Sequence, residues 1–560
     1  MPADSWMVEP AGPRFSFEGH PRTARPGESV LEGLVHDGLP NLQRSPHYHR
    51  PRAPLCGIGQ CTNCLVRVNG RPNVRACRYE ALEGDRVETE NGWPSRRFDA
   101  LAALDLVFRS GLDTLHGFRR PAWATRLYHV VVRRLAGFGA PPSPESAAAL
   151  AAPAEVRTVD VVILGAGRAG RACADRLVAA GRSPLVVDRA RSVDPIPGTE
   201  VLPRTTVSFL PPSRAGPGVP FELLAYTEPA RGLLLRARAV VVAVGSYDAS
   251  LLFGSNDRPG VMTADGAFAM TPRGGKPPFR AAVVFGAGDR AVDVVGRLGE
   301  QVEALVAPGV VPPELARLCS DNGVAIYPRS LLAEAYGRSR VRSVELVARG
   351  SGTVSRVACD AVVLAHRRLP NVPPLFQVGA RMRWRAEPGA YFPEVDLGGR
   401  TSVPGVYAVG SVAGALGPAS HPSGERAARA LLGEIPAEPT LTERPAEGPG
   451  EFEGYYRELL KRARRGRWVA CPCEDILLEE LEAVTAGGYR GVEVAKRYSG
   501  LGTGLCQGRY CLPDALLVLS LREGRPPSEV GYITQRPPVH PTPLAALAAL
   551  ESAVAAPEGA

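Results

Sequence analysis

The stretch Val159–Gly170, VDVVILGAGRAG, sets the strongest limit on what this chain can fold into. Apolar residues run into Gly165-Ala166-Gly167-Arg168-Ala169-Gly170, and a helical pattern, ACADRLVAAG, leaves it. Strand, glycine turn and helix in that order make a dinucleotide-binding unit. The first glycine permits the tight turn, the second lets a pyrophosphate approach the backbone, and the third lets helix pack on strand. The helix then offers free N–H groups and a partial positive charge to the phosphates. Asp188 closes the next apolar run, 18 residues beyond Gly170, where a carboxylate meets a ribose hydroxyl. An ordinary glycine turn, the competing reading, leaves both the acid and the helix unexplained.

Cysteine placement narrows the class further. Eight of the 11 cysteines form two sets, Cys56/Cys61/Cys64/Cys77 and Cys471/Cys473/Cys506/Cys511. Cys173, Cys319 and Cys359 stand alone in apolar or mixed patterns and are expected to be buried structural thiols. The chain has no run of 18 apolar residues, and its start, MPADSWMVEP, has no secretory pattern. The cytoplasm is therefore the expected compartment, and clustered cysteines there read as metal ligands rather than disulfides. The spacing C-x4-C-x2-C with a distant fourth cysteine is that of a [2Fe–2S] site. Gly57 and Gly59 let the loop turn between ligands. Structural zinc, which favours C-x2-C pairs, is the rival. The net charge of +9 is carried by scattered arginine, which leaves no nucleic-acid footprint but allows an anionic partner.

Further along, Ala237–Ser246 is a buried strand meeting a turn at Gly245. A second GxGxxA turn follows, with Gly286 and Gly288, but the next strand, 302–307, ends without an acid. Either a second nucleotide binds there without the usual ribose contact, or the unit is kept for architecture. The run 357–365, VACDAVVLA, is expected to return the chain to the first nucleotide domain. His366 and His421 are isolated, and structural or surface roles are expected for both. Trp93, Phe98 and Trp123 are expected to be packing residues.

Several stretches resemble one known family. Tyr48-His-Arg-Pro-Arg-Ala-Pro-Leu-Cys56-Gly-Ile-Gly-Gln-Cys61 resembles the ferredoxin subunit of hydrogen cyanide synthase and hydroxyproline dehydrogenases, and the start of the sarcosine oxidase alpha subunit. Asn256-Asp-Arg-Pro-Gly-Val-Met262 and the tail from Arg536 also resemble sarcosine oxidase alpha subunits. The C-x-C and C-x4-C pairs at Cys471/Cys473 and Cys506/Cys511 resemble the bacterioferritin-associated-ferredoxin-like [2Fe–2S] domain, with zinc a stronger rival here. Thr401–Gly414 resembles the closing motif of two-domain flavoproteins, with Gly410 and then Ser411 where those carry Asp. Only twelve residues separate Asp188 from Val201, so the loop that supports a flavin ring is short.

The resemblance implies an α/β multidomain chain, a glutathione-reductase-like flavoprotein fold with two dinucleotide-binding domains. A ferredoxin-like α+β [2Fe–2S] domain precedes it and a small helical [2Fe–2S] domain follows. The expected division is 1–95, the ferredoxin-like domain; 96–157, a connector; 158–255 with 355–435, the first nucleotide domain; and 256–354, the second. A linker at 436–465, the second [2Fe–2S] domain at 466–535 and an extended tail at 536–560 complete it. Gly165, Gly167, Gly170, Asp188, Gly245, Gly286, Gly288, Gly410 and Ser411 are the expected nucleotide contacts, and the eight clustered cysteines the metal ligands. FAD, NAD or another adenine nucleotide such as ATP fits the first site, and the family adds an FMN at an interface with a partner.

The implied role is the electron-transfer alpha subunit of a heteromeric FAD-dependent amino-acid or amine dehydrogenase, acting on sarcosine, proline, hydroxyproline or glycine. An FAD-containing beta subunit of the amino-acid oxidase family, with or without further small subunits, is the implied partner, and no catalytic residue is assigned to this chain. A self-contained NAD(P)H-dependent reductase and a non-catalytic nucleotide- and cluster-binding scaffold are the alternatives.

Overall fold

The computed structural model describes residues 12–36, 38, 41–92, 95–103, 105, 144–145, 154–211, 221–229, 231–271, 276–437 and 450–555. Most of the expected connector lies outside these, as do Trp93, Trp123 and most of the segment between 436 and 450. Phe98, expected to pack, is 72% exposed.

The N-terminal domain is a five-stranded sheet of β1 (Arg14–Phe17), β2 (His20–Thr23), β3 (Leu65–Val68), β4 (Arg71–Arg75) and β5 (Arg86–Thr89), in the order β2-β1-β5-β3-β4. One helix, α1 (Val30–His36), buries Leu31 and Leu34 against it. A capping box starts that helix: Glu32 N–H donates to Ser29 Oγ at 3.2 Å, and Ser29 N–H donates to Glu32 Oε2 at 2.6 Å. The loop carrying Cys56, Cys61 and Cys64 runs into β3.

The first nucleotide domain is built on β6 (Glu155–Leu164), α2 (Arg168–Ala179), β7 (Leu185–Val187), β8 (Glu200–Leu202), β9 (Thr205–Phe209), β10 (Phe221–Thr227) and β11 (Arg231–Val242), with strand order β8-β7-β6-β11-β10-β9. β6, β7, β8 and β11 run parallel, as a doubly wound sheet requires. The second domain has an all-parallel sheet of β12 (Val261–Thr263), β13 (Ala282–Phe285), β14 (Val302–Val306), β15 (Ala325–Tyr327) and β16 (Ala361–Leu364), in the order β12-β16-β13-β14-β15. The helix α3 (Asp289–Leu298) follows its glycine turn.

Three expected boundaries are corrected by this arrangement. β16 pairs with β12 and β13, so the run 357–365 completes the second domain instead of opening the return to the first. An apolar strand between two sheets carries no period that names its sheet. Among the described residues the chain rejoins the first sheet at β17 (Val406–Ala408), which pairs parallel with β11 and leads to α4 (Ser420–Leu431). The stretch expected as linker to 465 holds the helix α5 (Glu451–Leu459), which buries Phe452, Tyr455, Tyr456 and Leu459. The expected extended tail ends in the helix α6 (Leu544–Ala555), whose Leu550 is buried with Leu224 and Leu234.

Among the described residues the C-terminal domain is a strand pair, Val469–Cys471 with Ile476–Leu477, and four helices, Leu478–Ala486, Val492–Ser499, Leu512–Glu523 and the short Pro527–Val530. It joins the second nucleotide domain and the Cys56–Cys61 loop in one continuous apolar core. Among the described residues no helix is long and apolar enough to cross a membrane.

Candidate functional site

The glycine turn forms as its sequence requires. Gly165 has φ +111°, and a Cβ there would meet Ala243 O at 2.3 Å. A Cβ on Gly170 would meet Gly165 O at 1.9 Å, so that glycine serves close helix–strand packing. A Cβ on Gly167 would meet nothing within 4 Å, which leaves open space at the N-terminus of α2 where a phosphate belongs. A cavity of about 450 Å³ opens here, lined by Gly165, Gly167, Asp188 and Gly245. Its size suits a nucleotide.

Asp188 is in this cavity wall, but its carboxylate already accepts from Ala166 N–H and Ala190 N–H, both at 2.6 Å. It ties the glycine turn to the end of β7. Gly410 and Ser411, expected at the flavin end, do not line the cavity. A Cβ on Gly410 would meet Ala169 Cβ at 2.9 Å, and Gly410 N–H donates to Ser423 Oγ at 2.9 Å. Gly410 thus packs α4 onto α2.

The other wall of the cavity comes from the N-terminal domain: Gly57, Ile58, Cys77 and Arg78. No motif or spacing points to these residues meeting the glycine turn. Cys56, Cys61, Cys64 and Cys77 are all buried and unbridged. Gly57 and Gly59 have φ +63° and +73°, which lets the loop fold around its sulfurs. Cys56 Sγ accepts from Gln60 N–H at 3.4 Å and Cys61 N–H at 3.3 Å. Burial would raise this thiol, but the neighbouring Cys61 and the loop N–H groups outweigh burial and bring it down to about 5. That is the environment of a thiolate ligand.

The sulfurs approach in pairs, Cys56 with Cys61 and Cys64 with Cys77. The second set is likewise paired, Cys473 with Cys506 and Cys471 with Cys511. The Cys473 contact and the surrounding N–H groups, with Arg509, bring Cys506 down to about 6 against the effect of burial. Among the described residues no three His, Cys, Asp or Glu side chains converge as a single metal ion needs. Two thiolates on each side fit a two-iron centre better than one zinc. Cys173, Cys319 and Cys359 are buried and apart from both sets; burial pushes Cys173 and Cys359 up to about 12.

The two sets lie against each other. Thr62, between Cys61 and Cys64, contacts Cys473 through its hydroxyl. Arg75 donates to Cys61 O and to Leu505 O, both at 3.2 Å, bridging one cysteine loop to the other. Arg52 pairs with Asp475 at 2.5 Å and with Asp257 at 3.0 Å. Asn256 closes the joint: its Nδ2 donates to Val469 O and its Oδ1 accepts from Val469 N–H, each at 3.0 Å. The Tyr48–Cys61 and Asn256–Met262 stretches thus fasten the cluster domains together.

At the second glycine turn a Cβ on Gly286 would meet Ala365 O at 2.3 Å, and one on Gly288 would meet nothing within 4 Å. Asp289 puts a carboxylate in the first turn of α3, where a phosphate would need positive charge. Arg290 is taken by Asp248, Asp265 and Asp293 at 2.6 to 2.8 Å. The helix α5 packs beside the turn: Tyr455 lies 5.6 Å from Phe285, and Phe452 5.1 Å from His366. Burial drives His366 well below the usual histidine value, so it is a neutral packing residue. His421 is half-exposed, 3.8 Å from Glu425.

Fold and site define a class: a chain with two dinucleotide-binding domains and a [2Fe–2S] domain at its N-terminal side. Residues 14–92 match the 2Fe-2S iron-sulfur cluster binding domain, 224–431 the pyridine nucleotide-disulphide oxidoreductase domain and 466–551 the sarcosine oxidase A3 domain. The chain is 27% identical over 583 residues to sarcosine oxidase subunit alpha of Rhizobium meliloti (strain 1021), covering 95% of this chain and 57% of the relative. It is 46% identical over 83 residues to hydrogen cyanide synthase subunit HcnA of Pseudomonas aeruginosa, 15% of this chain and 75% of that subunit. The crystal structure of L-proline dehydrogenase from P. horikoshii superposes with a TM-score of 0.65 at 19% identity, covering 96% of this chain and 100% of that one, and so shares the fold. In its N-terminal domain the chain belongs with hydrogen cyanide synthase subunit HcnA, and along 95% of its length it is similar to a sarcosine oxidase alpha subunit. It spans 57% of the length of the Rhizobium relative.

Proposed function

We propose that this chain is the electron-transfer alpha subunit of a heteromeric FAD-dependent amino-acid or amine dehydrogenase or oxidase, of the sarcosine, proline, hydroxyproline or glycine type. A beta-type flavoprotein partner takes the hydride from the C–N unit, and this chain carries the electrons away. Cys56, Cys61, Cys64 and Cys77 hold one [2Fe–2S] centre, and Cys471, Cys473, Cys506 and Cys511 a second. Such centres, when bound, supply one-electron chemistry. Gly165, Gly167 and Asp188 hold the adenosine and phosphates of a nucleotide, and an FMN at the partner interface belongs to the same reading.

What carries the reading is adjacency: Cys77 lines the nucleotide cavity, and Thr62 and Arg75 join its cysteine loop to the second set. The cavity, the first centre and the second centre thus form a continuous row. The names of the relatives, sarcosine oxidase and L-proline dehydrogenase, supply the substrate class. The test is purification with native partners, metal analysis, and spin resonance after addition of sarcosine, proline, hydroxyproline or glycine. Iron and the signals of reduced [2Fe–2S] centres are expected with one of these substrates. Zinc in place of iron would overturn the relay. Centres reduced by NADH in the isolated chain, and by no amino acid in the complex, would establish the self-contained reductase instead.

A further inference from the structure

The first nucleotide cavity and the N-terminal cysteine loop share a wall, and one side chain belongs to both. Arg189 follows Asp188 directly and lines the cavity. Its guanidinium reaches into the cysteine loop. With the Gln60 amide oxygen turned toward it, the orientation that satisfies both groups, Arg189 Nη1 and Nη2 donate to that oxygen at 2.9 and 2.8 Å. Gln60 in turn donates its backbone N–H to Cys56 Sγ at 3.4 Å. Two residues therefore separate the acid of the nucleotide fold from a sulfur of the first set. No carboxylate pairs with Arg189 among the described residues. Arg78, next to Cys77, adds a second cation to the same wall.

We infer that occupancy of this cavity by an adenosine phosphate is linked to the redox state of the N-terminal centre through Arg189. This rests on the cluster and nucleotide assignments above and adds a regulatory coupling between them. Its sign follows from charge. Reduction adds one negative charge to the centre, and an adenosine diphosphate brings at least two negative charges to the same cations. Each draws on one guanidinium, so the second arrival is less favourable than the first. The nucleotide binds the oxidised protein more tightly, and its binding lowers the reduction potential of the centre. Linkage makes the two effects equal in size. Across a partly dry wall such a coupling exceeds its value in water. A tenfold difference in affinity is in the usual range for coupled sites, and corresponds to about 59 mV for one electron.

The experiment uses the full chain with its centres in place and bound nucleotide removed, with ADP as the probe. The potential of the N-terminal centre, identified by loss of its signal in Cys77→Ser, is titrated with and without saturating ADP. Calorimetry measures ADP affinity on oxidised and dithionite-reduced protein. The expected result is a potential lowered by ADP and an affinity weakened about tenfold by reduction. Arg189→Met abolishes the potential shift, while Arg189→Lys, which keeps the charge, retains part of it. If Arg189→Met does not load its centre, the parent and Arg189→Lys decide the matter. A potential unmoved by ADP that calorimetry shows to be bound overturns the coupling and leaves the nucleotide site standing. Absence of ADP binding overturns the nucleotide assignment and the coupling with it.

Discussion

Arg52 is 1% exposed and sits between two carboxylates from two other domains, Asp475 at 2.5 Å and Asp257 at 3.0 Å. Asp475 also accepts from Ser45 Oγ at 2.5 Å and Tyr48 N–H at 2.8 Å, so its charge is fully met. Removing one partner of such a buried pair strands the other. Arg52→Ala is expected to cost about 3–5 kcal/mol, read in chemical denaturation as early release of the C-terminal domain; an unchanged midpoint would show that the joint is held elsewhere. Glu480 is a different case. Burial pushes its carboxyl up to about 7, against the N–H of Leu477 donating at 2.7 Å. The native state then holds a proton that the unfolded state has released between the ordinary carboxyl range and about pH 7. Stability therefore falls as pH rises through that window. Glu480→Gln keeps an acceptor for Leu477 and has no charge to bury. Its melting temperature is expected to exceed the parent's at pH 8 and to meet it near pH 4; parallel curves would place Glu480 in water.

The helix Glu451–Leu459 shows where sequence reading stops at the scale of one element. Its residues FEGYYREL lie next to a Pro/Glu-rich stretch and have the look of a connection, yet Tyr455 and Tyr456 are fully buried. Their hydroxyls accept from Leu332 N–H at 3.0 Å and Leu252 N–H at 3.1 Å. A face that packs on a remote domain leaves too short a pattern to separate it from a linker. The same holds for β16, which reads as a buried strand without naming its sheet, and for Leu544–Ala555. By contrast, the first glycine turn and both cysteine sets were legible, because each needs special residues at fixed spacing. The missing acid after the second turn was legible too, although the helix packed beside the turn was not. Phe452→Ala with Tyr455→Ala should cost about 3–5 kcal/mol for each ring removed. Calorimetry with NADH should still detect no binding at the second turn, because Asp289 and the Arg290 ion pairs remain. Heat of NADH binding in this variant and not in the parent would mean that the helix alone closes a working site.

At the scale of the whole molecule, the order of parts in space differs from the order along the chain. The two cysteine sets stand at opposite ends of the sequence, but Thr62 touches Cys473 and Arg75 spans Cys61 O and Leu505 O. The nucleotide cavity borders the first set through Cys77, and a small cleft lined by Thr62, Asn63, Cys473 and Glu474 borders the second. If electrons pass along this row, the centres work in series, the first filling from the flavin side and the second emptying outward. Cys473→Ser is then expected to halve the iron content and leave the N-terminal centre's signal intact. On rapid mixing of the complete complex with its amino-acid substrate, that remaining centre should fill at the parent rate and stay reduced, because its exit is gone. Cys77→Ser should do the converse, leaving the second centre oxidised through the first turnover. An N-terminal centre that reoxidises at the parent rate in Cys473→Ser would mean that electrons leave from the first centre directly, and that the second lies beside the path rather than on it.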